Sequence, residues 1–175
     1  AEAVLREALG LRLALLGEAQ RLVQISRNNL ARWLVRQEQF VEAEQLYGAA
    51  LAALAEEPCE VVVALHNNRG ALAALQGRPT DARTELEQAL QLAALVLGER
   101  HPRRGMMLFN LAVLSEREGD RQAALAHYAL ALELVREAWG EEHPQSQEFR
   151  LVLEAVLAEG DGAISRDRAT PDPPH

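Results

Sequence analysis

The stretch NLAVLSEREGDRQAALAHYALAL, residues 110–132, has two earlier counterparts in the chain. They are NRGALAALQGRPTDARTELEQAL at 68–90 and NNLARWLVRQEQFVEAEQLYGAAL at 28–51. Small residues recur at three aligned positions, which are occupied by Ala31, Gly70 and Ala112, by Ala43, Ala82 and Ala124, and by Ala50, Ala89 and Ala131. The third series also includes Ala8, so the period is 42 residues with one shorter step of 39. A repeat of this length indicates a solenoid of stacked units.

Each copy has the pattern of two amphipathic helices separated by a turn. Apolar residues fall at three- and four-residue spacings on both sides of the stretches RQEQF, QGRPT and REGDR. The copies are joined by GERHP at 98–102 and GEEHP at 140–144, and by the trimmed stretch AEEPC at 55–59. We expect each His-Pro joint to end one helix and start the next, because a first-turn Pro needs no backbone N–H. Neither joint offers a second His or a Cys at ligand spacing, so no metal site is predicted there.

The sequence therefore predicts an all-α fold, a solenoid of stacked antiparallel helix pairs with about eight helices in one domain over residues 1–160. Repeats are predicted at 20–55, 59–97 and 102–139, preceded by a lone second helix at 1–17. Residues 144–159 are expected to form a capping helix, because Val152 and Glu154 replace the Asn and the small residue of the other copies. The stretch 161–175 has almost nothing apolar to bury and is predicted to be disordered.

The composition argues against several classes of protein. Acidic residues outnumber basic ones by 26 to 18, every basic residue is Arg, and the net charge of −8 argues against a general nucleic-acid binder. The single Cys59 excludes an internal disulfide framework, and no apolar run is long enough to cross a bilayer. These features favour a cytoplasmic protein that is not inserted in a membrane.

No catalytic motif stands out. A Gly-rich phosphate loop and a nucleophilic Ser elbow are missing from the sequence. Cys59 and His66 are seven residues apart, which on a helix corresponds to about 10 Å along the axis, too far for a thiolate–imidazole pair. The sequence therefore predicts a protein that is not an enzyme and needs no cofactor or metal.

The three aligned stretches and the two His-Pro joints resemble the tetratricopeptide repeat family, in the long-period form found in kinesin light chains. The resemblance covers roughly residues 1–158 and is specific for the fold, whereas repeats of this type serve many unrelated partners. It implies a superhelix whose first helices line a concave groove. It also implies that Asn side chains at equivalent positions there hold the main chain of an extended peptide.

The candidate binding residues begin with asparagines on the predicted first helices. An Asn lies two positions before the first small residue in all three copies, at Asn29, Asn68 and Asn110, and Asn28 and Asn67 directly precede the first two. An amide offers donors and an acceptor that match the N–H and C=O groups of a peptide. The alternative is that these side chains hydrogen-bond to the neighbouring repeat.

Other residues on the same predicted face complete the candidate site. Arg32, Arg36 and Arg117 favour a partner with acidic residues, unless they pair with acidic residues of adjacent helices. Met106, Phe109 and Val113 are predicted to add apolar pockets, although Met106 and Phe109 are equally suited to packing against the next repeat.

The functional prediction is an adaptor that binds an extended, acidic segment of a protein partner in the groove. Two alternatives stay open. The apolar stripe of the first helix, which includes Val4, Leu5 and Leu9, could pair with a second copy and give a homo-oligomer. The domain could also regulate an enzyme within a longer chain.

Overall fold

The computed structural model describes residues 1–54 and 58–167, the last eight of them by their backbone alone. This part of the chain contains eight α-helices and no strand, which confirms the predicted all-α class. The helices are α1 (Glu2–Leu16), α2 (Arg21–Arg36), α3 (Phe40–Ala53), α4 (Glu60–Leu75), α5 (Pro79–Leu97), α6 (Pro102–Arg117), α7 (Arg121–Trp139) and α8 (Pro144–Asp167).

The helices stack in chain order. Each helix packs against the next, and α4 also contacts α2 and α6. Turns of three residues join α2 to α3, α4 to α5 and α6 to α7, so the two helices of each pair run antiparallel. We call α2, α4 and α6 the first helices, and α3, α5 and α7 the second helices. The result is the predicted solenoid of stacked helix pairs.

Small residues let the two helices of a pair approach closely. Every alanine of the three aligned series within the repeats is fully buried. A Cβ added to Gly70 would lie 2.7 Å from Cγ of Leu86 and 3.1 Å from the carbonyl oxygen of Ala82. Leu86 is buried, as are Tyr47 and Tyr128 at the same position of the other two repeats. One small and one large side chain therefore fill each layer between paired helices.

The His-Pro joints form the connections between repeats. At the first joint, Gly98 has a φ of 97°, a left-handed conformation that glycine adopts without steric cost. The Nδ1 atom of His101 accepts the backbone N–H of Arg103 at 3.2 Å, and Pro102 is the first residue of α6. The second joint, at 140–144, repeats this geometry. The shared sequence of the two joints thus reflects helix ending, capping and starting, with the histidine as the N-cap.

One boundary of the sequence prediction differs from the structure, at the end of the last helix. α8 continues to Asp167, past the predicted end at residue 159, so the predicted start of the tail at 161 falls within this helix. Gly160 and Gly162 are poor helix formers, but each keeps the backbone N–H that a proline would remove. Residues 55–57 of the trimmed joint and 168–175 of the tail lie outside the described residues, so the predictions for them stay predictions.

Candidate functional site

Four asparagine side chains form a hydrogen-bonded row across the first helices. Asn68 donates from Nδ2 to Oδ1 of Asn28 at 2.8 Å, which links α4 to α2. Asn110 donates from Nδ2 to Oδ1 of Asn67 at 2.9 Å, which links α6 to α4. A longer bond of 3.4 Å from Asn67 to Asn68 joins these two links. We call these four residues the asparagine ladder.

The two links between helices obey one rule. The acceptor lies three positions before the small residue of its own helix, and the donor lies two positions before the small residue of the next first helix. This rule accounts for the doubled Asn67 and Asn68 of the second copy, where one side chain accepts and the other donates, and for the single Asn110 of the third. In the third copy Phe109 takes the acceptor position and stacks on Phe149 of α8, with ring centroids 4.2 Å apart. The alternative of bonds between neighbouring repeats therefore holds for the four ladder residues.

Some donors and acceptors of the ladder side chains make no hydrogen bond within the described residues. Each amide has two donors and one acceptor atom, and the ladder uses only some of them. Within the described residues, Asn28 keeps both N–H donors, although only 9% of the residue is exposed, and Asn110 keeps its Oδ1 acceptor. Asn29 is exposed, and its side chain makes no hydrogen bond to the described residues. Donors and acceptors that suit a peptide main chain are therefore still available beside the ladder.

A cleft of about 400 Å³ opens over α2, α4 and α6. It is lined by five residues of the predicted site, Asn28, Arg32, Asn67, Asn68 and Met106, and by Glu60, Val63, Ala64, Arg103 and Met107. The side chain of Arg32 is exposed and has no ion-pair partner within the described part of the chain. Arg103 instead pairs with Glu60 at 2.9 Å across the cleft rim. This cleft combines amides, an unpaired guanidinium and an apolar wall.

A second cleft of about 200 Å³ lies between α4 and α6. Its lining includes three residues of the predicted site, Asn110, Val113 and Arg117, together with Ala71, Ala74, Leu75, Leu86 and Leu114. Arg117 donates to the carbonyl oxygen of Ala74 at 3.4 Å and so reaches from α6 to α4. The neighbouring Glu116 accepts a 2.8 Å bond from the hydroxyl of Tyr128, and burial together with this bond raises the pKa of Tyr128. The second cleft is mainly apolar, with one amide and one guanidinium.

Charge is divided between the two kinds of helix. The first helices carry only two acidic residues, Glu60 and Glu116, against eight arginines: Arg21, Arg27, Arg32, Arg36, Arg69, Arg103, Arg104 and Arg117. The helices α1, α3, α5 and α7 have the opposite balance, with nine acidic residues and five arginines. The basic charge of an acidic protein is thus concentrated on the layer that carries the ladder.

Three residues of the predicted site line neither cleft. Asn29 and Arg36 are exposed on α2, and Arg36 has no ion-pair partner within residues 1–54 and 58–159. Phe109 is partly buried and contacts Tyr128 edge-on, with ring centroids 5.1 Å apart, as well as stacking on Phe149. Packing against neighbouring helices therefore accounts for Phe109. Of the three residues predicted to form apolar pockets, Met106 lines the first cleft and Val113 lines the second.

Sequence reasoning missed the cleft residues Glu60 and Arg103. Arg103 lies three positions before Met106, so the two share one face of α6. Glu60 lies four positions before Ala64 on α4 and shares a face with it in the same way. Helical spacing from Met106 and Ala64 could thus have placed both residues at the cleft. Their ion pair joins helices 43 residues apart in the chain, which helical spacing alone does not reveal.

One further polar cluster lies between α4 and α5. Glu85 forms an ion pair with Arg69 at 3.1 Å and lies 2.8 Å from Nδ1 of His66. Arg69 takes a position that is leucine in the other two repeats, and this ion pair explains how the guanidinium is accommodated there. Cys59 is buried at the start of α4. Within residues 1–54 and 58–159, no three His, Cys, Asp or Glu side chains are grouped so that they could hold a metal.

The described helices also bear on the membrane prediction. None of them has the length and the apolar character that crossing a bilayer requires.

Comparison with known families agrees with this architecture. Two models described as tetratricopeptide repeat match the chain, one over residues 24–57 and one over residues 61–145. Together the matched residues make up about two thirds of the sequence. The chain belongs to the tetratricopeptide repeat family, whose members in general serve as scaffolds for protein–protein interaction. No curated protein matches it in sequence.

Solved structures place the fold among repeat proteins of the kinesin-light-chain kind. BtubC (BKLC) from P. vanneervenii is 21% identical with a TM-score of 0.69, over 100% of this chain and 76% of that one. A Podosopora anserina protein described as a putative kinesin light chain with nearly identical TPR-like repeats is 17% identical with a TM-score of 0.67, over 97% of this chain and 88% of that one. At these identities the likeness concerns the fold, and it confirms the predicted long-period type of repeat.

Proposed function

We propose that this chain is a non-enzymatic adaptor that holds an extended, acidic segment of a partner protein on the surface of α2, α4 and α6. One observation carries the proposal. The first helices carry eight arginines against two acidic residues in a protein whose net charge is −8. Arg27, Arg69, Arg103 and Arg104 form ion pairs with Glu18, Glu85, Glu60 and Glu99, whereas Arg32, Arg36 and Arg117 have no ion-pair partner within the described residues. Such a surface attracts carboxylates, and a guanidinium binds a carboxylate through two parallel hydrogen bonds.

The asparagines would fix the main chain of the bound segment. The free N–H donors of Asn28 and the free Oδ1 of Asn110 lie at opposite ends of the ladder, and Asn29 offers a complete amide. These contacts place no requirement on the side chains of the peptide, because they use its main-chain N–H and C=O groups. Each bond contributes about 0.5–1.5 kcal/mol net, so several must act together.

The two clefts would select side chains of the segment. Arg32 at the first cleft and Arg117 at the second lie beside the apolar side chains Met106 and Val113. This arrangement favours a segment in which acidic residues alternate with apolar ones. Arg32 has no acidic partner to give up within the described residues, so its pairing with a ligand carboxylate costs no internal ion pair. The predictions of a cytoplasmic location and of no nucleic-acid partner belong to the same proposal.

A library of random peptides displayed on phage tests the proposal without a chosen partner. Selection is run on the full chain, on Asn68→Ala/Asn110→Ala, on Arg32→Ala and on the control Arg136→Ala, whose side chain is 53% exposed on α7. We expect the wild type and the control to enrich the same acidic peptides, and the double asparagine variant to lose them. For a synthesised peptide of the enriched class, fluorescence anisotropy should give roughly tenfold weaker binding to Arg32→Ala.

The contrary outcomes are equally clear. Enrichment of basic or uncharged peptides, or equal binding by all four proteins, would contradict the proposal. A labelled single-stranded oligonucleotide serves as the second probe, because a basic surface could also attract phosphates. Binding of the oligonucleotide as tight as that of the peptide would replace a peptide-specific groove with a general site for polyanions.

A further inference from the structure

The second helix of the first repeat is shorter than its counterparts. α3 has 14 residues, whereas α5 and α7 have 19 each, although all three begin at the same aligned position. In α5 the additional residues include Val96 and Leu97, which pack against a cluster that contains Met107 of the next first helix. α3 ends at Ala53, before the equivalent turn. The helix α3 therefore covers less of α4 than α5 covers of α6.

A cavity of about 420 Å³ opens beside the end of α3. Its apolar wall includes Leu51 and Leu54 from the end of the first repeat, Val62 of α4 and Leu92 of α5. Its polar lining consists of His66 and Arg69, both on α4. We call this space the α3–α5 cavity. Its volume falls within the range of about 300–1,000 Å³ that is typical of small-molecule sites.

The α3–α5 cavity lies on the opposite side of α4 from the asparagine ladder. Val62, His66 and Arg69 are spaced by four and three residues, so they share one face of the helix. At 100° per residue this face is roughly opposite to Ala64 and Ala71, which line the two clefts. No residue that lines either cleft also lines the α3–α5 cavity. The cavity is therefore a separate feature of the fold.

The guanidinium in its wall is particular to the second repeat. The position of Arg69 is occupied by Leu30 in the first repeat and by Leu111 in the third, and both leucines are buried. Glu85 balances the charge of Arg69 at 3.1 Å and lies 2.8 Å from Nδ1 of His66. The second repeat thus replaces a packed leucine with a charged group that its neighbours hold in place.

The charge that faces the cavity is positive. Glu85 does not line the α3–α5 cavity; it lines a smaller polar cavity on the other side of Arg69. Among the residues described at the α3–α5 cavity, none is acidic. The ion pair with Glu85 uses Nη1 of Arg69, a guanidinium has five N–H donors, and 37% of the Arg69 side chain is exposed. Donors of Arg69 thus remain for a second carboxylate.

We infer that the α3–α5 cavity binds a small aliphatic carboxylate. The hydrocarbon chain of the ligand contacts the apolar wall, and its carboxylate accepts hydrogen bonds from Arg69. A guanidinium beside apolar side chains suits this combination, because it binds carboxylates strongly and is only weakly hydrated. A neutral ligand of the same shape would leave these donors without an anionic partner, and a cationic ligand would be repelled.

NMR titration of the full chain, with labelled leucine and valine methyl groups, tests the inference with three probes of equal chain length. The probes are octanoate, octanol and octylammonium. We expect octanoate to shift the methyl resonances of Leu51, Leu54, Val62 and Leu92 in a saturable way. Octanol should bind roughly tenfold more weakly and octylammonium more weakly still, because only octanoate pairs with the guanidinium.

Two substitutions separate the carboxylate contact from the apolar contact. Arg69→Leu introduces the residue that the other repeats carry, so it should fold, lower the affinity for octanoate to that for octanol, and leave octanol binding unchanged. Ala52→Trp places a large side chain at an exposed position of the cavity lining and should abolish binding of both probes. Arg136→Leu, 53% exposed on α7, is the control and should bind as the wild type does. Helical circular dichroism checks the folding of each variant.

Several results would overturn the inference. They are the lack of saturable shifts with octanoate, shifts centred on the two clefts, and octanoate binding that survives Ala52→Trp in a folded protein. Equal affinity for octanoate and octanol in the wild type would mean that the cavity takes apolar groups of any kind, such as a side chain of a protein partner. Because the clefts share no lining residue with the cavity, each of these results leaves the peptide proposal to its own test.

Discussion

Asn110 donates to Oδ1 of Asn67 at 2.9 Å, and this bond joins two first helices that are separated by a whole repeat in the chain. The preceding bond, from Asn68 to Asn28, joins the same aligned positions of the previous two first helices and has a similar length of 2.8 Å. A repeated polar contact of this kind fixes the stacking of successive first helices. In the proposed adaptor, it would also hold the remaining donors and acceptors of these side chains toward the bound peptide.

Substitution of Asn67 should lower stability, because it leaves the amide of Asn110 without its acceptor. For Asn67→Ala we expect a loss of about 1–2 kcal/mol in the free energy of unfolding, measured by urea titration with circular dichroism. Asn29→Ala is the matched control, since Asn29 has no side-chain bond within the described residues and alanine is the better helix former. Equal losses in the two variants would show that the ladder adds nothing to the stacking.

The two glycines Gly70 and Gly48 should respond oppositely to alanine. The Cβ of Gly70→Ala would lie 2.7 Å from Cγ of Leu86, which is buried and cannot move away freely, so we expect a loss of about 1–3 kcal/mol. Gly48 lies within α3 with nothing within 4 Å of its added Cβ, and Gly48→Ala should gain roughly 0.5–1 kcal/mol. Thermal and urea unfolding measure the change in unfolding free energy for each of the two variants. A stabilising Gly70→Ala would mean that α4 and α5 pack less closely than described.

Because His101 caps α6, another capping residue at this position should restore the stability that His101→Ala loses. His101→Ala removes the acceptor for the N–H of Arg103 and should cost about 0.5–2 kcal/mol of unfolding free energy. His101→Asn should recover most of this loss, because the Asn side chain is a good N-cap. If the Asn variant is as unstable as the Ala variant, the imidazole has a role other than capping.

His127 on α7 should make stability depend on pH. Burial lowers the pKa of His127, and the nearby Arg83 lowers it further, against smaller opposing effects of Asp120 and Glu87. The unfolded chain then binds a proton at a higher pH than the folded chain does, so stability is lost as the pH falls below about 6.5 toward the lowered value. Urea titrations between neutral and mildly acidic pH should show that His127→Gln loses less unfolding free energy than the wild type as the pH falls. An identical pH profile in the variant would remove His127 as the cause.

The fold could be predicted because the features that specify a helix pair recur in three aligned copies of the repeat. Small residues at fixed offsets, apolar spacing and the two His-Pro joints together indicate paired helices even where one copy departs from the pattern. One such departure is Glu38, which has a φ of 59° in a turn where the other two repeats use Gly77 and Gly119. Its glutamate gives no local sign of a left-handed residue, and only alignment of the copies places it there.

The site was harder to predict than the fold. The face carrying Asn68 and Asn110 follows from helical spacing, but their partners depend on how far one first helix is shifted along the next. That shift is a property of packing between helices about 40 residues apart, which no local spacing encodes. For the same reason the sequence could not decide whether Phe109 lines a pocket or packs, since this depends on Phe149 of the following helix.

In the proposed adaptor, the asparagine ladder lies at the centre of a binding site for an acidic peptide. This placement can be observed by NMR, in a titration of the isotopically labelled chain with an enriched acidic peptide, through the side-chain amide resonances of asparagine. We predict that the resonances of Asn28, Asn68 and Asn110 shift together and saturate at the dissociation constant found by anisotropy. Saturating binding with shifts confined to α5, α7 or α1, and unmoved ladder amides, would contradict a peptide site at the ladder.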